Sequence, residues 1–197
     1  MWAKVESGSI TKLYNSPKNL IIDGVSHPAK IFESWSSSEL EAIGIYEVEH
    51  DDSNLKDDKY YINTNISYNF ADNKATSSYG TAVARNLDDI LYSAQDEIDG
   101  LGTEGDVKDR GLKYQFKDSI NGEARNRLSE TDWMVIREAD DGTAIPSNIK
   151  TYRASIRTKA NEMCAKIDAV SDVDALAALY VYSGDPLVRP LGEFPVL

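Results

Sequence analysis

The order of hydrophobic and polar residues divides this chain into a strand-rich first half and a helix-rich second half. Short β-branched and aromatic runs alternate with turn-forming residues as far as Val83. From residue 110 onward, apolar residues recur at intervals of three and four, the spacing of one face of an α-helix. The pattern predicts an α+β protein, with an N-terminal antiparallel β-rich domain (residues 1–100, including one amphipathic helix) followed by a C-terminal helical hairpin or bundle with an extended tail (residues 101–197).

Turn residues divide the first half into short strands. The segments ESGS at 6–9 and DG at 23–24 each separate two apolar runs, which predicts two hairpins. Ser36 and Glu39 have the spacing of a capping box, in which each side chain accepts a hydrogen bond from the other residue's backbone N–H. This spacing predicts a short helix that ends at Gly44 and is followed by a strand.

The longest predicted strand is Lys59–Phe70. Polar and apolar residues alternate along it, and a turn at 71–74 leads to a return strand at Ala75–Val83. Residues 86–99 are predicted to form one amphipathic helix, and the Gly-rich segment Leu101–Asp109 is the predicted domain boundary. The apolar face of the long strand would consist of Tyr60, Ile62, Thr64, Ile66, Tyr68 and Phe70.

Two long helices are predicted in the second half. Residues 110–130 carry apolar or small residues four apart, and Asn148–Ala169 carries them at alternating steps of three and four. Between the two helices we predict a corner at Thr131-Asp132-Trp133 and then a polar loop, with Ser147 as the N-cap of the second helix. The apolar seam of that helix consists of Ile149, Tyr152, Ile156, Ala160, Met163 and Ile167.

Two features of the second half each have two interpretations. The seam suits a helix that packs within one chain, and it equally suits a homo-oligomer. The tail Gly184–Leu197 contains three prolines and an apolar end, so it either packs back as an extended strap or docks onto a partner. A last short helix, beginning near Ser171, is predicted before the tail.

The chain is acidic, and its charge is uneven. The formal net charge is −12, and residues 1–100 hold 8 Lys/Arg against 17 Asp/Glu. Acidic surfaces repel phosphate backbones and anionic lipids, so we expect neither nucleic acid nor membrane among the partners. The charge is explained either by a solvated face that aids solubility or by a partner with a basic surface.

Residues typical of catalysis or metal binding are sparse. His27 and His50 are the two histidines, and neither they nor the single cysteine, Cys164, belong to a nucleophile–base motif or to a metal-ligand spacing. We therefore expect a protein that is not an enzyme, with no catalytic residues, metal or cofactor. The N-terminus lacks an apolar signal segment, which predicts synthesis and retention in a cytoplasm, unless the protein leaves inside a larger particle such as a virion.

Two blocks of the sequence resemble the tail and tail-fibre assembly chaperones of tailed bacteriophages. The more specific block is an Arg-x-x-Leu-x-x-Thr-Asp-Trp stretch followed, after a loop, by a Tyr-Arg-x-x-Ile-Arg helix. A weaker block covers Trp2 to Gly8 and the Gly-Ile-Tyr strand at 44–46. A second tryptophan often found near the Tyr-Arg motif is absent, and the segment Lys59–Val83 has no counterpart. The residues that match the C-terminal signature are Arg125, Leu128, Thr131, Asp132, Trp133, Tyr152, Arg153, Ile156 and Arg157.

The resemblance implies a non-enzymatic phage tail or tail-fibre assembly protein, which shields apolar surface of a tail or fibre protein in the host cytoplasm. A structural virion component, such as a tail, baseplate or fibre-adaptor protein, is the alternative. Trp133, Tyr152 and Ile156 would anchor the partner, with Arg153 and Arg157 at the rim. The competing interpretation is that Trp133 and Tyr152 only hold the two helices together.

Overall fold

The computed structural model describes all 197 residues and shows a mixed α+β protein with 36% helix and 24% strand. The fold class predicted from the sequence is confirmed. Two compact units divide the chain, Met1–Val83 and Ala84–Leu197. The segment Leu101–Asp109, where the sequence predicts a domain boundary, lies inside the second unit.

The strands lie mostly in the first unit, and the long helices lie in the second. The strands are β1 (Trp2–Glu6), β2 (Ser9–Tyr14), β3 (Leu20–Ile22), β4 (Val25–His27), β5 (Ile45–Asp51), β6 (Tyr61–Ile62), β7 (Ile66–Ala71), β8 (Lys74–Tyr79), β9 (Val83–Ala84), β10 (Ile90–Leu91) and β11 (Val107–Asp109). The helices are α1 (Ile31–Ser34), α2 (Ser37–Ala42), α3 (Ala94–Ile98), α4 (Leu112–Ser129), α5 (Asp132–Asp141), α6 (Ser147–Asp168) and α7 (Val173–Ala178).

A five-stranded sheet in the order β2-β1-β5-β8-β7 organises the first unit. The predicted β1–β2 hairpin forms within this sheet, and so does the β7–β8 hairpin with its turn at Asp72 and Asn73. The other predicted hairpin, β3–β4, forms a separate two-stranded sheet. The sheet is not wholly antiparallel, because β5 and β8 run parallel, with Val48 opposite Ala75. A tight hairpin joins β7 to β8, so these two strands are antiparallel and β7 runs opposite to β5.

One apolar cluster forms the core of this unit. Its members are Tyr14, Leu20, Ile22, Ile31, Phe32, Leu40 and Ile45.

The predicted capping box at the start of α2 is present, and Gly44 ends this helix with a φ of 74°. A side chain at Gly44 would meet the carbonyl oxygen of Val5 at 2.9 Å, so both the left-handed backbone and the close approach require glycine.

The alternating segment from residue 59 to 70 is not one continuous strand. It breaks between β6 and β7, and its apolar face is buried only at the end, at Tyr60. Ile62 and Tyr68 remain largely exposed. Alternation therefore predicted the strand type and the turn correctly but overestimated how much of the apolar face is covered.

The second unit is built on the packing of α4 against α6. The stripe of α4 is buried at Leu112, Phe116, Ile120 and Ala124. Every residue of the predicted α6 seam is buried as well, so this stripe has its packing partner within the chain. Helix α6 begins one residue earlier than predicted, with Pro146 as its N-cap and Ser147 inside the helix.

The prediction of one helix over residues 86–99 is wrong in its first half. Ile90 and Leu91 instead form strand β10, which pairs with β11. Only Ala94–Ile98 is helical, and it begins at a capping box between Ser93 and Asp96. A short non-local pairing thus takes the place of the first helical turns.

The C-terminal tail packs back onto its own unit as far as Phe194. Leu191 and Phe194 are buried, and the backbone N–H of Leu191 donates to the carbonyl of Leu179 at 3.0 Å. Lys166 Nζ donates to the carbonyl of Pro190 at 2.6 Å. Val196, nearer the end, is exposed.

Among all the helices of the protein, none has the length and apolar content to cross a bilayer.

Candidate protein-binding surface

Helix α5 occupies the segment in which the sequence predicts a corner and a polar loop. It begins directly after Thr131 and ends at Gly142, which has a φ of 76° and donates its N–H to the carbonyl of Glu138 at 3.2 Å. The left-handed glycine is a common helix end. The corner at Thr131 therefore joins two helices, α4 and α5, rather than a helix and a loop.

Most apolar residues of α5 face solvent, and Met134 is half-buried. No residue of this helix is buried; Trp133 is 53% exposed, Ile136 is 69% exposed and Val135 is also exposed. At about 100° per residue, these three side chains and Ala139 fall within an arc of about 160°. The less exposed side includes the charged residues Arg137 and Glu138. We call the solvent-facing set Trp133, Val135, Ile136 and Ala139 the α5 apolar surface.

Arg153 fixes the N-terminal end of α5. Its guanidinium is almost fully buried, with the residue 6% exposed. Nη1 donates to the carbonyl of Leu128 at 2.7 Å and to Oγ1 of Thr131 at 2.6 Å. Nη2 donates to Oδ1 of Asp132 at 2.7 Å. The cation thus caps the C-terminal turn of α4 and pairs with the first residue of α5, where the helix dipoles favour a positive and a negative charge respectively.

Glu138 fixes the other end of α5. Its Oε1 accepts a hydrogen bond from Lys150 Nζ at 2.8 Å and one from the backbone N–H of Ile145 at 3.2 Å. These two hydrogen bonds, with that from Lys150 the larger effect, hold the pKa of the Glu138 carboxyl below its usual range. Polar contacts at both ends therefore position α5, and its apolar surface takes no part in them.

Arg137 lies over the ring of Trp133. The guanidinium carbon is 5.0 Å from the ring centroid, a distance at which a cation and an aromatic face attract each other. The two residues are four apart on one helix, so the contact is local. It restricts the orientation of the tryptophan that contributes most to the α5 apolar surface.

Acidic residues surround the α5 apolar surface. Between residues 130 and 142 the chain carries one basic residue, Arg137, which is occupied by Trp133. Lys150 and Arg153 of α6 pair with Glu138 and Asp132, and the other acids of this segment make no ion pair. Those acids are Glu130, Asp140 and Asp141.

The five residues predicted to bind a partner do not share one surface. Trp133 and Arg157 are exposed, whereas Tyr152, Arg153 and Ile156 are buried within the second unit. Arg153 connects to the helix of Trp133 through Asp132, and Arg157 Nη1 donates to the carbonyl of Arg153 at 3.3 Å. Partner binding by these residues stays a prediction. Trp133 and Arg157 are the two that could contact a partner protein without rearrangement of this unit.

Tyr152 also borders an open groove beside the C-terminal tail. The groove has a volume of about 450 Å³ and runs along the first turns of α6. Its far side is formed by the exposed tail residues Val196 and Leu197. Phe194, just before them, lies 5.2 Å from the Arg127 guanidinium carbon and is buried. The tail therefore covers part of α6 next to Tyr152.

A second cluster, in the first unit, was not found from the sequence. His50 Nδ1 lies 2.7 Å from Oγ of Ser77, and His50 Nε2 lies 2.8 Å from Oδ1 of Asp52. The set has the residue types of a hydrolytic triad, yet Ser77 is only 1% exposed, so its hydroxyl is closed to a substrate. Only the β5–β8 pairing, which places His50 opposite Ser77, brings these residues together. We interpret the cluster as a cross-strand contact.

No group of three or more His, Cys, Asp or Glu side chains is arranged to hold a metal ion. No protein-family model, curated protein or solved structure matches this chain. The α5 apolar surface is accordingly interpreted from its own geometry and charge.

Proposed function

We propose that this chain is a non-enzymatic bacteriophage tail or tail-fibre assembly protein, which binds a tail or fibre protein through the α5 apolar surface and shields it until it assembles. The observation that carries the proposal is the orientation of α5, a helix whose residues Trp133, Val135 and Ile136 face solvent while Arg137 and Glu138 lie on its less exposed side. Exposed aromatic residues surrounded by polar groups are typical of protein-binding sites. The resemblance of the Thr-Asp-Trp and Tyr-Arg blocks to phage assembly chaperones supplies the class of partner.

The hydrogen bonds of Arg153 support this function because they hold α5 in position. An assembly protein must present its binding helix before the partner arrives, because ordering a helix on binding reduces affinity. Arg153 and Glu138 hold α5 in place at both ends without using its apolar side chains. The binding helix is therefore preorganised. Thr131 and Asp132 of the signature have a structural role, because they accept the hydrogen bonds of Arg153.

The test is a pull-down from phage-infected cells combined with mass spectrometry of gradient-purified particles. We expect the wild-type protein to capture a tail or fibre protein and to be absent from mature particles. The double variant Trp133→Ser/Ile136→Ser should lose the captured protein. Ile98→Ser is the matched control, because Ile98 is as exposed on α3 of the same unit.

Each contrary result has its own meaning. Abundance in purified particles would replace the assembly role with that of a structural virion component. Failure of the wild-type protein to capture any tail or fibre protein, together with its absence from particles, would overturn the phage proposal. Equal loss of capture in the Ile98→Ser control would show that α5 has no special part in binding.

A further inference from the structure

We propose that the α5 apolar surface recognises a segment of its protein partner that combines apolar side chains with lysine or arginine, and that Asp140 is the residue that selects for this positive charge. The inference rests on the proposed function and specifies the chemistry of the partner. It follows from the position of one carboxylate without an ion pair within a largely apolar surface.

Asp140 lies between the two most exposed apolar residues of α5. At about 100° per residue, its direction falls between those of Ile136 and Trp133, one turn further along the helix. Asp140 is exposed and makes no ion pair, whereas Asp132 and Glu138 are paired with cations of α6. An apolar partner that covered Trp133 and Ile136 would remove water from this carboxylate, which is unfavourable unless the partner supplies a cation.

The surrounding charges favour the same kind of partner. Glu130 and Asp141 flank the surface, and the nearby Arg137 is held over Trp133. Residues 130–142 carry five acidic side chains, against Arg137 and the two paired cations Lys150 and Arg153, so the local net charge is negative. This charge attracts a basic segment over a distance of about one Debye length, roughly 8–10 Å. A partner segment with apolar residues on one side and basic residues at the edge would match both the surface and its charge.

A second copy of this chain does not match. Two α5 helices packed face to face would bring the Asp140 carboxylate of each close to acids of the other, without a free basic residue on either surface. Each copy also carries a net charge of −12. Like charges at an interface disfavour association, so the occupant is a different, basic protein segment.

The first experiment measures the binding of two designed helical peptides by fluorescence anisotropy. Both peptides present the same leucine face, and one carries lysine at the edges where the other carries glutamate. We expect the wild-type protein to bind the leucine–lysine peptide at least about ten-fold more tightly, with the preference reduced at 1 M salt, because salt screens the charge contribution. Equal binding of the two peptides, or binding of neither, would overturn the inference.

Two charge-reversal variants separate a local from a general effect. Asp140→Lys should weaken binding of the leucine–lysine peptide about ten-fold and improve binding of the leucine–glutamate peptide. Glu33→Lys is the matched control, since Glu33 is exposed on α1 and the substitution changes the net charge equally. Equal effects of both variants would indicate non-specific attraction and contradict a role for Asp140. Circular dichroism of each variant confirms that the fold is retained.

The same variants distinguish this inference from the proposed function. If wild-type and Asp140→Lys proteins capture the same tail or fibre protein equally well, the charge inference fails and the assembly function stands. If the wild-type protein binds the leucine–lysine peptide but captures no tail or fibre protein, the assembly function fails while the preference of the α5 apolar surface for basic segments stands.

Discussion

Arg153 and Asp132, which are 21 residues apart, form an ion pair of 2.7 Å that joins the buried side of α6 to the first residue of α5. The same guanidinium binds the last turn of α4 through the carbonyl of Leu128. One side chain therefore sets the position of three helices. Arg153, which the sequence suggests as part of a binding rim, therefore also has a structural role in the second unit.

We expect Arg153→Ala to lower the free energy of unfolding by about 2–4 kcal/mol, because it removes three hydrogen bonds and leaves the buried hydroxyl of Thr131 and the carbonyl of Leu128 poorly satisfied. Arg157→Ala should change it by less than about 0.5 kcal/mol, since Arg157 is exposed. Urea denaturation followed by circular dichroism measures both. Similar values for the two variants would contradict the structural role assigned to Arg153.

A pair of isoleucine variants tests whether the apolar side of α5 is free. Ile156→Ala should destabilise the protein by about 2–5 kcal/mol, because Ile156 is completely buried in α6. Ile136→Ala should lower stability by less than about 0.5 kcal/mol, because Ile136 is largely exposed. The two substitutions remove the same atoms, so thermal unfolding compares burial directly. A large loss for Ile136→Ala would mean that α5 packs against the chain.

Acidification should loosen the C-terminal end of α5. The pKa of Glu138 is lowered in the folded protein, first by the hydrogen bond from Lys150 and then by that from the Ile145 N–H. A lowered carboxyl pKa contributes stability above the unfolded value, about 4.5, and this contribution is lost as the pH falls through the folded value. We expect hydrogen exchange of the α5 amides to increase below about pH 4.5 relative to the α6 amides.

The Glu138→Gln variant provides the control for that pH dependence. Glutamine keeps the size of the side chain but has no carboxylate to titrate. We expect α5 of this variant to exchange faster than wild type at neutral pH and to show little further increase on acidification. An unchanged pH dependence would assign the effect to other carboxylates, such as Asp141, whose pKa is also lowered by its hydrogen bonds with Thr143.

The His50–Ser77 contact gives a test of the non-enzymatic assignment. Because Ser77 is almost completely buried, we expect no covalent labelling by a fluorophosphonate probe. Mass spectrometry of the intact protein reads this out, with a known serine hydrolase as the positive control. Labelling that disappears in Ser77→Ala would contradict the assignment and make the cluster a nucleophilic site.

Local patterns in the sequence identified most of the elements. The capping box at Ser36 and Glu39, the turn at 71–74 and the α6 seam all depend on neighbours within a few residues, and all are present. The helix predicted over 86–99 was wrong because Ile90 and Leu91 pair with a strand about 17 residues away, and such pairing has no local signal. The Ser93–Asp96 capping box was present in the sequence and would have placed the start of α3.

The candidate site was only partly predictable for a related reason. The Thr-Asp-Trp corner and the resemblance singled out Trp133, but α5 itself was not predicted because its apolar residues form no inward-facing stripe. The resemblance placed Arg153 at the rim of a binding surface, and arginine is rarely buried without partners. Its partners, Thr131 and Asp132, lie on another helix, and only the packing of α4 against α6 brings them within reach.

The parallel pair β5–β8 has a consequence for how the first unit folds. Both β1–β2 and β7–β8 join residues that are close in the sequence, so each can form early with little loss of chain entropy. The β5–β8 ladder joins residues that are 27 apart, such as Val48 and Ala75. Its hydrogen bonds contribute no stability until strand β8 has formed. We therefore expect two hairpins to form first and the sheet to be completed when they dock on β5, with the His50–Ser77 contact among the last to appear during refolding.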